Sequence, residues 1–207
     1  MRIIAALLIS VALASFPFDL TASYEYYLFV VQWKPTDCLN KSCPSGYLST
    51  NFNIHGLWPE NWSGTYPQDC VPNSPLNITT STETELKKYW QSNNGDSKTF
   101  WTHEWTKHGT CITPSIPCNS YFDKGVALYK QLNILSTLSA GGVKPGTSEV
   151  SKDAFIKALK YTVDTTCSTI NSKSYLKEVR FCFDKNYSQV NCKGTSTCKT
   201  SFYFVSS

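Results

Sequence analysis

The stretch 101–111, Trp-Thr-His-Glu-Trp-Thr-Lys-His-Gly-Thr-Cys, concentrates ionisable side chains that could move protons. If residues 100–110 form a helix, a rotation of about 100° per residue places four of these groups on one side of it. They are His103, Glu104, Lys107 and His108. Trp101 and Trp105 fall on the remaining side, where they can pack against a core. One helix would then hold a base, an acid and two cations in a single cluster.

The same charges could instead form an ordinary solvated helix face with pairs at spacings of three and four residues. Two observations favour a site. Histidine is scarce, with 3 in the whole chain, and two of them lie in this stretch. Gly109 and Cys111 follow at once, and they are expected to end the helix and tether its end.

The third histidine lies in a second unusual stretch, 53–60, Asn-Ile-His-Gly-Leu-Trp-Pro-Glu. A lone histidine in a strand is more often a structural residue. Here Gly56 allows another group to approach the backbone closely and Pro59 fixes a turn, so His55 can stand at the end of a strand and face a cleft. Trp58 could fill the core, or it could be a platform for a flat ring, because base stacking on an aromatic side chain contributes about 1 to 3 kcal/mol.

Together the two stretches predict proton transfer on a phosphodiester. One neutral and one protonated histidine can remove a proton from a ribose 2′-hydroxyl and deliver another to the leaving 5′-oxygen. Because the ordinary pKa of imidazole is about 6.5, both states are available at mildly acidic to neutral pH. Lys107 and a protonated His103 could hold the phosphate and offset the charge that builds on its oxygens.

Metal-dependent hydrolysis is the competing interpretation, and the spacing disfavours it. The order is His-Glu-x-x-x-His rather than His-Glu-x-x-His, which rotates the second histidine by about 140° from the first. Lys107 would also repel a cation. The cysteines do not suggest zinc, because no Cys-x-x-Cys pair occurs and their spacings are irregular. We therefore expect neither a metal nor another cofactor.

The first residues have the features of a secretory signal peptide. Met1 and Arg2 precede an apolar run, 3–14, and small residues follow it. We place the signal peptide at 1–23, with cleavage after Ala14 as the alternative, and the mature domain at 24–207. No segment is long and apolar enough for a membrane span, so we expect a secreted, extracellular protein without a membrane anchor. Its net charge of +4 is compatible with a polyanionic ligand.

Cysteine usage agrees with export. The 9 cysteines are many for a cytosolic protein and ordinary for a disulfide-bonded secreted one. Their odd number leaves one thiol over, either free or bonded to another molecule. N-glycosylation sequons, which would carry N-glycans in an extracellular protein, begin at Asn40, Asn61, Asn77 and Asn186.

The remaining sequence is typical of one α+β domain with a sizeable core. Apolar alternation predicts strands at 26–33, at 52–58 (ended by Pro59), at 178–183 and at 201–205. Apolar residues at helical spacing, together with the chemistry-bearing stretch described above, predict helices at 82–91, 100–110, 119–135 (capped by Asn119) and 151–163. The segments 34–51 and 60–81 are rich in turn-forming and polar residues. We expect the first, which contains Cys38 and Cys43, to be a disulfide-bonded loop and the second to be an exposed connection.

These stretches give the chain a specific resemblance to the ribonuclease T2 family, the secreted acid ribonucleases whose plant branch includes the S-RNases of self-incompatibility. The first active-site block of that family is similar to residues 54–59, and the second to residues 100–111. The two blocks occur in the family's order. The likeness extends from Tyr24 to the cysteine-rich tail, which is essentially the whole mature chain.

The resemblance implies a mainly antiparallel β-sheet with flanking helices and an endoribonuclease that needs no metal. Single-stranded RNA would be cleaved by transesterification to a 2′,3′-cyclic phosphate, followed by slower hydrolysis to a 3′-phosphate. His108 would be the general base of the first step and His55 the general acid. Glu104 and Lys107 would stabilise the pentacoordinate transition state, and His103 would bind phosphate.

The resemblance also implies four disulfides and leaves Cys118 over. The implied pairs are Cys38 with Cys43, Cys70 with Cys111, Cys167 with Cys198, and Cys182 with Cys192.

The chain departs from the family pattern near the base-binding region. Many members read Gln-Gln-Trp where this chain has Val-Gln-Trp at 31–33, so Gln32 is the remaining candidate for a base contact there. Some members have aspartate at the position of Glu60. The side chain of Glu60 is longer, so its carboxylate would reach a different point on a bound base. Trp58 is the better candidate for stacking on a base.

The biological role is an inference from charge. Plant S-RNases are typically basic, and the pI of about 8.5 favours a self-incompatibility S-RNase over a nutritional or defence ribonuclease. The exposed stretch 60–81 would then be the surface that binds a recognition protein. We expect the chain itself to be a monomer. A non-catalytic recognition or storage glycoprotein of the same fold is the other alternative. It would be expected to have lost one of the paired histidines, and this chain retains both.

Overall fold

The computed structural model describes residues 23–39, 43 and 50–206. The predicted signal peptide, apart from Ser23, and the sequon at Asn40 lie outside the described residues. Within the described residues, no helix is both long and apolar enough to cross a membrane.

Helices and strands alternate irregularly along the chain. The strands are β1 Tyr26–Gln32, β2 Asn53–Glu60, β3 Glu149–Ser151, β4 Asp164–Ile170, β5 Lys173–Phe183, β6 Gln189–Val190 and β7 Ser201–Tyr203. The helices are α1 Lys34–Asp37, α2 Thr80–Tyr89, α3 Ser97–Lys107, α4 Cys118–Leu132, α5 Ile134–Ala140 and α6 Lys152–Leu159. The α+β class predicted from the sequence is confirmed.

The strands form one sheet in the order β2-β1-β5-β7-β3, with β4 and β6 also paired to β5. Every pairing of strands is antiparallel except that of β5 with β7, which is parallel. The sheet is therefore mixed but mainly antiparallel, as the resemblance implies.

Strand β1 lies between β2 and β5 and is buried along its whole length. Its aromatic and β-branched residues suit a strand that packs on both faces. Because successive side chains point to opposite faces, Phe29 and Val31 join the main hydrophobic core, whereas Leu28 and Val30 belong to a second, smaller cluster. The functional site described below lies on the face of Leu28 and Val30.

Helix α3 contains most of the chemistry-bearing stretch. Its N-cap is Asp96, whose side chain accepts a hydrogen bond from the backbone N–H of Thr99. Trp101 and Trp105 are buried against the core, as their helical spacing predicts. The helix ends at Lys107, and a 3₁₀ turn, Gly109–Cys111, follows at once. The predicted bounds of 100–110 were therefore too late at both ends.

Gly109 makes this abrupt ending possible. A Cβ atom on residue 109 would lie 2.3 Å from Cε3 of Trp105 and 3.1 Å from Cγ of Tyr121. Only glycine leaves room for both rings. The disulfide between Cys70 and Cys111 then ties the end of the turn to the 60–81 connection.

The prediction that β2 ends at Pro59 was wrong. The strand continues through Pro59 to Glu60, which pairs with Tyr26 of β1. Strand β2 lies at the end of the sheet order, and proline is tolerated there because an edge strand needs no hydrogen-bond donor on its open side.

The predicted helix 119–135 is two helices, α4 and α5. Asn133 between them adopts the left-handed conformation, with φ of 39°, which breaks the helix. The predicted cap was also wrong. Pro117 precedes the first turn. The Asn119 side chain instead accepts hydrogen bonds from the backbone N–H of Thr79, the N-cap of α2, and from the hydroxyl of Thr82 within α2.

Three further parts of the chain differ from prediction. Helix α6 ends at Leu159 rather than Val163, because Lys160 takes a left-handed conformation with φ of 65°. Strand β4 was missed because its residues are mostly Thr, Ser and Cys without apolar alternation. It forms a hairpin with β5 through Asn171 and Ser172, which both have positive φ, as a two-residue type I′ turn requires. The loop predicted at 34–51 begins with the one-turn helix α1.

Four disulfides cross-link the structure, and they are the same pairs that the resemblance implies. They join Cys38 to Cys43, Cys70 to Cys111, Cys167 to Cys198, and Cys182 to Cys192. Cys118 is buried at the start of α4 and forms no disulfide.

Candidate active site

One pocket, of about 340 Å³, collects almost all the side chains for which the sequence predicts a catalytic or substrate-binding role. The predicted residues that line it are His55, Trp58, His103, Glu104, Lys107 and His108. Leu28, Glu60, Tyr66 and Arg180 complete the lining. Gln32 is buried on β1, between Asn53 and Glu178 of the neighbouring strands, and does not line the pocket.

His55 enters the pocket from an irregularity in β2. Val30 of β1 pairs with Gly56 and Val31 pairs with Ile54, so His55 is an extra residue without a partner. Such a bulge can re-aim a side chain away from the regular pleat. The backbone of His55 is fixed because its carbonyl oxygen accepts a hydrogen bond of 2.8 Å from Nε1 of Trp90.

The His55 ring is held by Glu178 of β5. Nδ1 of His55 lies 2.8 Å from Oε1 of Glu178, and the other carboxylate oxygen, Oε2, accepts hydrogen bonds from Nη2 and Nε of Arg180 at 2.9 and 3.3 Å. Burial by itself would raise the pKa of the Glu178 carboxyl, but the hydrogen bonds and charges of His55 and Arg180 outweigh burial and lower that pKa to about 2. Glu178 is therefore a carboxylate throughout the mildly acidic to neutral range.

Sequence reasoning missed Glu178 and Arg180 as members of the site. The available signal was their alternation with apolar residues on β5, which places both on one face of the strand. That face is the functional one only because Arg180 pairs with Val30 of β1 in the folded sheet, and the sequence does not specify this register.

Trp58 lies between the two histidines predicted to be catalytic. Its ring stacks on His108, with centroids 5.1 Å apart and planes 25° apart, and it meets His55 edge-on, with centroids 5.0 Å apart. Its Nε1 donates a hydrogen bond of 2.8 Å to Oε2 of Glu104. Trp58 thus contacts an acid and both imidazoles at once.

Gly56 is required for the contact between Trp58 and Glu104. A Cβ atom at this position would lie 2.0 Å from Nε1 of Trp58 and 2.3 Å from Oε2 of Glu104. Any other side chain would displace one or both groups. The glycine that the sequence suggested for a close backbone approach therefore makes room for the tryptophan and the glutamate.

Glu104 is 1% exposed, and its ionisation is suppressed. Burial raises the pKa of its carboxyl to about 7, against the opposing effects of His55, of Lys107 and of the hydrogen bond from Trp58. At mildly acidic pH the group is largely a neutral carboxylic acid, which can donate a hydrogen bond as well as accept one.

His108 is buried, and burial lowers its pKa to about 3, with Lys107, His103 and His55 adding to the effect. Its imidazole is therefore neutral at mildly acidic and neutral pH. His103 is exposed one helical turn before Lys107, and partial burial and the charge of Lys107 also lower its pKa.

Glu60 and Tyr66 also line the pocket. Burial raises the pKa of the Glu60 carboxyl to about 7, although Arg180 opposes this. Tyr66 is 44% exposed, and the centroid of its ring lies 6.4 Å from that of His108. The 60–81 connection therefore contributes one wall of the pocket as well as exposed surface.

Across residues 23–39, 43 and 50–206, no group of three or more His, Cys, Asp or Glu side chains is arranged to hold a metal ion. Below about pH 7, where Glu60 and Glu104 are largely protonated, the pocket combines neutral and cationic side chains, which suits the binding of an anion.

Comparison with known proteins assigns this fold and pocket to a family. The model of the ribonuclease T2 family matches residues 24–192. The chain belongs to the ribonuclease T2 family. It is accordingly an RNA-cleaving endoribonuclease of the T2 type, as its two active-site blocks predict.

Relatives of this T2 ribonuclease come from distant organisms. Ribonuclease DdI of Dictyostelium discoideum is 36% identical over 198 residues, which cover 90% of this chain and 89% of the relative. Extracellular ribonuclease LE of Solanum lycopersicum is 34% identical over 177 residues, which cover 78% and 76%. A solved structure of a single-residue mutant of RNase MC1 in complex with 5′-GMP is 34% identical, with a TM-score of 0.78, and covers 87% of this chain and 100% of that one.

Proposed function

We propose that this T2 ribonuclease is a secreted, metal-independent enzyme that cleaves single-stranded RNA by transesterification, with His108 as general base and His55 as general acid. One observation carries the proposal. A single pocket holds the two imidazoles against the same tryptophan, Trp58, but in different surroundings: His108 is buried, and His55 is partly exposed beside the carboxylate of Glu178. Separate environments of this kind are how a protein divides acid and base roles between like groups.

His108 is suited to the base role. Its lowered pKa, about 3, keeps the imidazole neutral, so a ring nitrogen can accept the proton of a ribose 2′-hydroxyl. Nδ1 of His108 is buried and has no hydrogen-bond partner among the described residues. Nε2 is therefore the nitrogen that remains to face the pocket and the substrate.

His55 is suited to the acid role because an ionised carboxylate touches it. The carboxylate of Glu178, 2.8 Å from Nδ1, is an ion-pair partner for the imidazolium that would donate the proton. The His55 side chain is 26% exposed, so it can reach a substrate in the pocket. It would donate its proton to the 5′-oxygen as the bond between phosphorus and that oxygen breaks.

Glu104, Lys107 and His103 would bind the phosphate as negative charge builds on its oxygens. A neutral Glu104, with a pKa of about 7, can donate a hydrogen bond to a phosphate oxygen below that pH without repelling it. Lys107 supplies positive charge from the last turn of α3. The lowered pKa of His103 restricts its positive charge to acidic pH, which favours an enzyme that works best there.

The first step would yield a 2′,3′-cyclic phosphate and a free 5′-hydroxyl. In the second, slower step the roles would reverse. His55, having given up its proton, would take one from a water molecule, and His108 would return a proton to the departing 2′-oxygen. A 3′-phosphate would result, and each histidine would regain its starting state.

Base recognition would occur at the Glu60 and Tyr66 side of the pocket. One face of Trp58 is stacked on His108, so a base could stack only on the opposite face. Gln32 is buried behind the pocket and would act on a base only through other side chains. Glu60 could accept a hydrogen bond from a base when it is ionised.

Cleavage of total RNA by purified protein between about pH 4 and 8, with a chelator present, tests the proposal. His108→Ala and His55→Ala should each reduce cleavage by about 100-fold or more, since general acid or base catalysis contributes about 10² to 10⁴-fold. His103→Ala is the matched control, and its main effect should be a higher KM. Inert wild-type protein, or full activity of both His108→Ala and His55→Ala, would overturn the two-histidine assignment.

Secretion and N-glycosylation are further parts of the proposal. Asn77 and Asn186 are exposed, and Asn61 is half-buried with its amide nitrogen donating to the hydroxyl of Thr65. The exposed sites would carry glycans more readily than Asn61. Expression of the full chain in a secreting host, followed by glycosidase treatment and mass mapping, tests both export and occupancy. Protein retained inside the cells would contradict secretion.

A self-incompatibility role is the second candidate, and the basic charge, with a pI of about 8.5, favours it. The 60–81 connection, which is largely exposed and borders the pocket through Tyr66, would then be the surface for a recognition protein. Transcript confined to the style would support this role. Induction in other tissues by phosphate starvation would support the nutritional or defence role instead.

A further inference from the structure

We infer that Glu178, itself held by Arg180, is a positioning residue for RNA cleavage: it fixes His55 in the ring orientation and tautomer that deliver a proton to the leaving oxygen. The inference rests on the proposed role of His55 as general acid. It adds to the two active-site blocks a pair of residues from β5, far away in the sequence.

The hydrogen bond between Glu178 and His55 selects which ring nitrogen faces the substrate. An ionised carboxylate can only accept hydrogen bonds, so Nδ1 of His55, 2.8 Å from Oε1, must carry its hydrogen. Protonation and deprotonation of the ring then occur at Nε2. The proton that His55 gives up is therefore held at the nitrogen directed away from Glu178.

Both ends of this contact are fixed by the sheet. Glu178 is 4% exposed, and its backbone pairs with Gln32 of β1 and Thr166 of β4. Its second carboxylate oxygen is occupied by Arg180, whose Nη2 lies 2.9 Å away. The carboxylate cannot rotate without breaking these bonds, so the orientation of His55 is set before a substrate binds. This is the arrangement in which a carboxylate orients a catalytic imidazole.

Glu178 is also the carboxylate that supplies negative charge to His55 at acidic pH. The other groups around His55 are Glu104, His103 and Lys107 of α3, His108 directly after it, Glu60 of β2 and Arg180 of β5. Glu60 and Glu104 both have pKa values raised to about 7 by burial, so they are largely neutral below that pH. The remaining groups are neutral or positive.

A pair of substrates separates this role from a purely structural one. Both are 3′-phosphodiesters of the same nucleoside, one with a second nucleoside as leaving group and the other with nitrophenol. Nitrophenolate leaves as a stable anion and needs little help from a general acid, whereas an alkoxide needs a proton. A defect in proton delivery should therefore slow the first substrate much more than the second.

Glu178→Gln is the decisive variant, because it keeps the shape of the side chain and removes the charge. We expect kcat/KM for the dinucleoside substrate to fall about 10- to 100-fold, the range found for carboxylates that orient metal-binding histidines. Cleavage of the nitrophenyl ester should change by less than about threefold. Glu149→Gln, at the exposed edge of the same sheet, is the matched control and should change neither substrate.

His55→Ala distinguishes failure of the inference from failure of the proposed function. If His55→Ala and Glu178→Gln both spare the nitrophenyl ester, the inference stands. If His55→Ala slows both substrates equally, His55 is not the general acid and the proposed function fails in that part. The third case is that His55→Ala slows only the dinucleoside substrate. If Glu178→Gln then slows both substrates equally, or slows neither of them, the inference is overturned. Should Glu178→Gln not fold, Glu178→Asp, whose shorter side chain withdraws the carboxylate from Nδ1 of His55, replaces it with the same selectivity expected, and equal or absent losses overturn the inference.

Discussion

Replacing Glu104 with glutamine is expected to stabilise the folded protein at alkaline pH much more than at acidic pH. The Glu104 carboxyl is buried, and burial is the main cause of a pKa raised from 4.5 to about 7. Glutamine has nearly the same shape and keeps a carbonyl oxygen to accept the hydrogen bond from Nε1 of Trp58. The substitution therefore removes the ionisation and leaves the packing in place.

The sign and size of the effect follow from the two pKa values. Because the folded state holds the proton of Glu104 more tightly than the unfolded chain does, this group lowers the free energy of unfolding as pH rises from about 4.5 to about 7. Each pH unit of that interval corresponds to about 1.4 kcal/mol. Above about pH 7 the free energy of unfolding of the wild-type protein should therefore have fallen by about 3 kcal/mol through this group, whereas the glutamine variant has no such loss.

Urea unfolding with the disulfides intact, at about pH 4 and about pH 8, measures this difference. Other groups, such as His108 and Glu178, titrate in both proteins, so their contributions cancel when the variant is compared with wild type. The gap between Glu104→Gln and wild type should widen by about 3 kcal/mol from the lower to the higher pH. Glu149→Gln, an exposed carboxylate, should show a gap that does not depend on pH in this way. A gap for Glu104→Gln that is constant, or that widens toward acid, would refute the burial argument.

Three other substitutions test the packing around the site. Gly56→Ala should drive Trp58 from Glu104, because its Cβ would lie 2.0 Å from Nε1 and 2.3 Å from Oε2, and kcat/KM should fall about 100-fold; activity near wild type would show that the pocket adapts. Trp58→Phe keeps a ring against His108 but leaves Oε2 of Glu104 without its donor, which should cost about 1 to 3 kcal/mol in urea unfolding, and an unchanged midpoint would contradict it. Cys118→Ala should leave kcat/KM unchanged and cost about 1 kcal/mol, because the thiol is buried but unpaired; loss of activity would show a role in the site.

The residues of α3 that line the pocket could be predicted because they are clustered in sequence. The spacing within 101–111 places His103, Glu104 and Lys107 on the pocket side of α3 and the tryptophans on the core side. Helical geometry alone gives this result, because all these residues lie within one stretch of the sequence. The electrostatic state of the cluster could not be predicted in the same way. The raised pKa of Glu104 depends on burial by residues from other elements.

Glu178 and Arg180 could not be predicted as site residues, and the reason is register. Glu178 lies 123 positions from His55 in the sequence, and the two meet because β1 pairs with β5 on one side and with β2 on the other. The bulge that re-aims His55 is likewise a property of the paired strands. A shift of one residue in either pairing would turn these side chains to the core face.

The differences in the fold have local physical causes. Asn133 in a left-handed conformation divides a helical pattern that the apolar spacing alone would continue. Strand β4 has the composition of a loop and exists because β5 offers it a partner across a type I′ turn. Pro59 is compatible with β2 because that strand is at the edge of the sheet. Tertiary pairing therefore overrode local preference in β4, whereas the break at Asn133 is a feature of the local backbone.

The most direct test of the two-histidine mechanism uses an oligodeoxynucleotide that contains a single ribonucleotide, incubated with the enzyme and a chelator and followed by mass spectrometry. Wild-type protein should cut only after the ribose, with a 2′,3′-cyclic phosphate appearing first and a 3′-phosphate later, while His55→Ala and His108→Ala leave the substrate intact over the same time. Cleavage at deoxyribose positions, direct formation of the 3′-phosphate, or cleavage by both variants at the wild-type rate would contradict the mechanism.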